Sequence, residues 1–125
     1  LALCATADDT KEMILVLDAN ARTKSDKADG PNRVSADEKP ITARGRRMLS
    51  AWKTSKLVIL NGTDYEDASP GRLTSFRKVG SAEATVDYAV VSNTLLPKVR
   101  SLSIAEPDAP NEAWSDHVSL TLKID

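Results

Sequence analysis

A single cysteine, Cys4, stands in 125 residues. It excludes an intramolecular disulfide and any cysteine metal cluster, makes a reducing compartment the simpler expectation, and is itself expected to be a small buried apolar residue. Histidine is equally scarce: His117 has no second copy to share its chemistry. An excess of charge is missing too. Seventeen basic residues against eighteen acidic ones give a formal net charge of −1, whereas a domain that lives on phosphate contacts usually carries a basic excess. A polyanionic partner would therefore meet a local patch or a bound cation. Long apolar runs are lacking as well: none reaches the roughly 20 residues of a membrane span, and Leu1 to Thr6 is too short for a signal-peptide core. No membrane partner is expected. An opening Leu1 in place of Met is what a fragment or a processed product would show.

The length is that of one domain with a real core. Met13 to Leu17 is a continuous apolar run of strand length, the pattern of a strand buried on both faces, and it delivers Asp18 and Asn20 to its C-terminal end. From Arg22 to Pro40 the sequence is polar and without period, with a Gly30-Pro31 breaker, and reads as an exposed loop. Thr42 can cap a helix running to about Ser55, with Met48, Leu49 and Trp52 on one face and Arg44, Arg46, Arg47 and Lys53 around the rest. Met48 and Trp52 are expected in the core.

Leu57 to Leu60 predicts a short buried strand ended by the turn pair Asn61-Gly62. Arg72 to Arg77 alternates weakly as a more exposed strand, and Thr85 to Ser92 is β-branched enough to be central. A helical turn over Asn93 to Pro97, a strand over Val99 to Ala105 and a loop at Pro107 to Pro110 follow. The chain closes on a strand over Val118 to Ile124 with Val118, Leu120, Leu122 and Ile124 on one face.

Three short acidic signatures occur in order: Leu17-Asp18-Ala19-Asn20, Val86-Asp87-Tyr88 and Ser115-Asp116-His117. They resemble the Gly-Asp-x-Asn, Ile-Asp-Tyr and Ser-Asp-His motifs in the C-terminal half of the endonuclease/exonuclease/phosphatase superfamily. Arg44 to Leu49, Leu57 to Gly62 and Thr74-Ser75-Phe76 resemble the segments that link the first two motifs in non-LTR retroelement endonucleases. The likeness runs from about Met13 to Ile124. The family's first glycine is Leu17 here, where a side chain crowds a tight turn.

The resemblance implies an α/β fold, the C-terminal half of a four-layered α/β sandwich, in which a mixed, largely antiparallel sheet carries a flanking helix. It implies a single partial domain over residues 1–125 with the first half missing. The implied activity is metal-dependent phosphodiester hydrolysis, with Mg²⁺ or Mn²⁺ as cofactor and DNA or another phosphodiester as substrate. Such chemistry needs an in-line oxygen nucleophile and neutralisation of phosphoryl charge, and hard oxygen ligands suit Mg²⁺. By resemblance Asp18 orients or deprotonates the attacking water, and Asn20 hydrogen-bonds the water or the phosphate. Asp87 pairs with His117 and fixes its tautomer, and Asp116 ligates the metal.

Blander readings stand beside these. Asp18 and Asn20 suit a turn, Asp87 suits a structural salt bridge, and Asp116 and His117 suit a loop end. Arg44, Arg46 and Arg47 are either a DNA-backbone contact or a solvated face, and Trp114 either packs near a substrate base or lies in the core. The family places an Asn and a metal-binding Glu in its first half, which nothing before Met13 supplies. The chain alone is therefore expected to be inactive or weakly active, and to self-associate through an uncovered sheet face. The alternatives are a small-molecule or lipid phosphoesterase of the same superfamily, and a noncatalytic nucleic-acid-binding module. The implied compartment is intracellular, and nuclear for a retroelement-type endonuclease.

Overall fold

Alternation of side chains along one central strand divides the molecule into two cores. The computed structural model describes residues 12–76, 83–106 and 117–125. Within them, strands β1 (Ile14–Asp18), β2 (Leu57–Ile59) and β3 (Asp87–Ser92) form an antiparallel sheet in the order β1-β3-β2. A second antiparallel pair joins β4 (Val99–Ile104) to β5 (Leu120–Ile124). Helix α1 spans Ala43–Thr54, and a 3-10 helix over Asn93–Lys98 links β3 to β4. The fold is thus a small α/β arrangement of a helix and antiparallel sheets.

Tyr88 and Val90 of β3 face α1 and pack with Met48, Leu49, Trp52, Leu57 and Ile59. Ala89 and Val91 face the other way and pack with Val58, Leu60, Leu95, Leu102 and Ile104 beneath β4. Strand β3 is central because both faces of its β-branched and aromatic run find a cover. Met48 and Trp52 lie in the core as expected, and Trp52 meets Tyr88 edge-on with ring centroids 5.9 Å apart.

The helix begins where the sequence places it. The Thr42 hydroxyl accepts from the Gly45 N–H at 3.1 Å and from the Arg22 N–H at 3.1 Å, so the N-cap also fastens the helix to the chain leaving β1. Gly45 makes that approach feasible, since a Cβ there would sit 2.0 Å from the Arg22 carbonyl oxygen. Gly62, at φ +76°, likewise lets the turn after β2 press against Val34, whose carbonyl oxygen would lie 2.6 Å from a Cβ.

Three sequence expectations change. Strand β1 is an edge strand rather than one buried on both faces. Leu15 and Leu17 pack toward α1, but Ile14 and Val16 are 50% and 53% exposed. Their register partners Val91 and Ala89 are buried, so β4 and β5 cover the sheet over β3 and stop short of β1. Leu17 is used in the helix-side packing.

The segment Arg22 to Pro40 has little regular structure, yet it is not an exposed loop, because Thr23, Arg33, Ser35 and Asp37 are buried and hydrogen-bonded. Over Arg72 to Phe76 single bridges replace the expected strand. Ser75 bridges both Ala84 and His117, and Thr74 is buried. The expectations for Cys4, for Arg77 and for the Pro107 to Pro110 loop lie outside the described residues.

Candidate functional site

Antiparallel pairing brings the C-terminal end of β1 and the N-terminal end of β3 to the same edge of the sheet, so Asp18 stands directly opposite Asp87 in register. Two carboxylates so placed repel each other unless a cation or a donor lies between them. His117 is delivered to that position by its bridge to Ser75 and by the Val118 N–H bond to the Thr74 carbonyl at 3.0 Å. Its Nδ1 lies 2.6 Å from Asp87 Oδ2 and its Nε2 lies 3.7 Å from Asp18 Oδ2. An ionised carboxylate only accepts, so Nδ1 carries the proton toward Asp87 and Nε2 is the nitrogen turned to Asp18. The side chains are graded in exposure: Asp87 13%, His117 36% and Asp18 53%.

Asp87 is held by its backbone from two sides. The buried Thr74 hydroxyl accepts from the N–H groups of Val86 and Asp87 at 3.0 and 3.1 Å. The Asn61 side chain donates to the Asp87 carbonyl at 2.9 Å and accepts from the Ala89 N–H at 2.9 Å. Asn61 is therefore more than a turn former; it completes the ladder beyond the end of β2. Asp18 is held more lightly. Its Oδ1 accepts from the Asn20 N–H at 2.9 Å, with Asn20 in the left-handed region at φ +48°. The turn chemistry read from Asp18 and Asn20 is thus present, and it leaves Oδ2 facing the imidazole.

Behind the site lies a buried polar layer. The Tyr88 hydroxyl has the carbonyls of Ala21 and Thr85 each 2.8 Å away as acceptors and accepts from Thr23 Oγ1 at 3.1 Å. Burial pushes the Tyr88 phenol above its ordinary range, which keeps it a donor. Arg33 donates from Nε to the Asn61 carbonyl at 2.7 Å and from Nη1 to the Asp26 carbonyl at 2.6 Å. Burial lowers its pKa, opposed by Tyr88 and Asp26. Asp37 accepts from Arg22 Nη1 at 2.6 Å and from the Thr85 N–H at 3.0 Å, tying together the segments that leave Asp18 and enter Asp87.

The structure brings together Asp18, Asp87 and His117, which offer one ligand atom each within 4.8 Å of one another. Two carboxylate oxygens and an imidazole nitrogen form a donor set able to hold a divalent cation, which would also relieve the opposed carboxylates. Asn20 adjoins the group with its side chain exposed. Arg44, Arg46 and Arg47 are exposed on α1. Asp116 and Trp114 lie outside the described residues.

Sequence reasoning missed Asn61, Thr74, Tyr88, Arg33 and Asp37 as supports of the site. The available signal was a polar residue ending or interrupting an apolar run, as at Asn61 and Tyr88. Nothing in spacing marks the partners of Arg33 or Asp37. Among the described residues no helix is long and apolar enough to cross a membrane. Comparison with protein-family models, with curated proteins and with solved structures finds no match to this chain.

Proposed function

We propose that this chain carries the site of a metal-dependent phosphodiesterase of DNA-endonuclease type, slow by itself, and that it forms the C-terminal half of a four-layered α/β sandwich. The observation that carries the reading is the meeting of Asp18, Asp87 and His117 from three sequence-distant segments in a paired, partly exposed group. The half-sandwich reading is supported by a sheet with its helix on one face and the β4–β5 pair over part of the other, where Ile14 and Val16 of β1 are left exposed beside it.

Asp87 holds the imidazole by Nδ1, which directs Nε2 outward toward Asp18. From there Nε2 donates to a phosphoryl oxygen or exchanges a proton with the reacting oxygen. Asp18 Oδ2, on the same side, orients and deprotonates a water, with Asn20 beside it to hydrogen-bond the water or the phosphate. Mg²⁺ or Mn²⁺, held by Asp116 together with the carboxylates facing His117, would neutralise charge developing on the phosphoryl oxygens. Exposed Arg44, Arg46 and Arg47 offer phosphate-backbone contacts to a DNA substrate, and Trp114 a surface for a base or sugar.

Nicking of supercoiled plasmid tests the reading. Slow nicking that requires Mg²⁺ or Mn²⁺ and disappears in His117→Ala is expected. A folded chain that never nicks, or one whose nicking persists in His117→Ala, overturns it.

A further inference from the structure

The separation between His117 Nε2 and Asp18 Oδ2 is informative by its length. At 3.7 Å it exceeds a hydrogen bond. It is close to the bite of a small dication: tetrahedral bonds of about 2.0 Å to nitrogen and oxygen set two ligand atoms roughly 3.3 Å apart. The lightly held, exposed Asp18 can supply the few tenths of an ångström between the two values, since among the described residues its side chain is hydrogen-bonded by the Asn20 N–H at Oδ1. The firmly held Asp87 lies behind the ring, on the side away from Asp18, as carboxylates do that orient a metal-bound histidine. It accepts the hydrogen bond from Nδ1–H, which fixes the tautomer and leaves Nε2 as the nitrogen that faces an ion.

We propose that Asp18 Oδ2 and His117 Nε2 form a two-point ligand pair for a borderline divalent transition ion, of the Zn²⁺ class, with Asp87 orienting His117 from behind. This goes beyond the phosphodiesterase reading although it uses residues of the same site. An oxygen-only metal such as Mg²⁺ gains little from an imidazole nitrogen, whereas Zn²⁺ accepts nitrogen and oxygen equally well. The two roles of Nε2 exclude each other: a nitrogen bound to Zn²⁺ has no lone pair for proton exchange. Bound Zn²⁺ therefore opposes any reaction that uses His117 as an acid or base.

Because His117 is the only histidine in the chain, its ring nitrogens can be followed without overlap by long-range ¹H–¹⁵N spectroscopy while ZnCl₂ or MgCl₂ is added. Titration calorimetry run in parallel gives affinity and stoichiometry. The Cys4→Ser chain is used throughout, so that the lone thiol does not compete. Expected are 1:1 Zn²⁺ binding, a large shift of Nε2 with Nδ1 still protonated, and no comparable shift with Mg²⁺.

His117→Ala and Asp18→Asn are expected to weaken Zn²⁺ binding at least tenfold. Asp87→Asn, which touches the ring and not the ion, is expected to cost about 10- to 100-fold. Thermal melts of each variant guard against misfolding. Ring resonances unmoved by Zn²⁺ in the folded chain, or Zn²⁺ affinity unchanged in His117→Ala, overturn the proposal. Neither readout involves DNA cleavage. Zn²⁺ binding without plasmid nicking would sink the phosphodiesterase reading and leave this one standing, and nicking without a Zn²⁺-dependent ring shift would do the reverse.

Discussion

The two strand ends that meet at the site are built in opposite ways. The β3 end is mounted: Asp87 is mostly buried, its N–H is held by Thr74, its carbonyl by Asn61, and the next residue is pinned through the Tyr88 hydroxyl. The β1 end is suspended at the rim of the sheet. Asp18 is half exposed, one oxygen rests on the Asn20 N–H, and the strand behind it shows Ile14 and Val16 to solvent. A pair of carboxylates in direct register therefore divides its tasks. The fixed one sets the geometry of the histidine, and under the proposed reading the adjustable one meets the ligand. A site on a rigid strand and its edge neighbour combines a defined orientation with room for a ligand to be accommodated.

Breaking the mounted side should cost the most. Asn61→Leu keeps the volume roughly similar but leaves the Asp87 carbonyl and the Ala89 N–H without their side-chain partners in a buried setting. At roughly 1–3 kcal/mol for each buried group left unsatisfied, a loss of about 3 kcal/mol in unfolding free energy is expected from urea denaturation. A loss below about 1 kcal/mol would mean that β3 is not held in this way. Tyr88→Phe removes only the hydroxyl that ties Ala21, Thr23 and Thr85 together, and about 1–2 kcal/mol is expected. The Trp52 ring contact stays in place in that variant.

What was legible in the sequence follows the same division. The apolar run around Asp87, the Thr42 cap and the helical spacing of Met48, Leu49 and Trp52 are local signals, and each element stands close to where they put it. The ordered Asp18, Asp87 and His117 motifs also converge in space. The burial of β1 was misread because an unbroken apolar run fits an edge strand with one open face as well as a central one, and only the extent of β4 and β5 decides between them. The Arg22 to Pro40 segment was misread because buried polar residues such as Arg33 and Asp37 are stabilised by partners far along the chain, which no periodicity announces.

The open face of β1 can be tested on its own. Val16→Lys adds a charge to a half-exposed position on the side away from α1, so the fold should lose no more than about 0.5 kcal/mol. If copies of the chain bury this face against one another, sedimentation equilibrium at high concentration will show dimers that Val16→Lys converts to monomers. A well-folded monomer of the unaltered chain at the same concentration removes self-association as the way the face is covered.

The smallest effect on stability is expected where the effect on function is greatest. Asp18→Asn retains an oxygen for the Asn20 N–H and removes one of two negative charges that face each other across the β1–β3 ladder. Loss of repulsion and loss of attraction to His117 work in opposite directions, and both are screened at a half-exposed position. The unfolding free energy should therefore stay within about 0.5 kcal/mol of the unaltered chain. Metal-dependent nicking should be lost, and the Zn²⁺-induced shift of His117 Nε2 should need at least tenfold more Zn²⁺. A drop of more than about 1 kcal/mol would place Asp18 among the structural supports beside Asp87. The division between a mounted and an adjustable carboxylate would then be wrong, whatever the chemistry of the site.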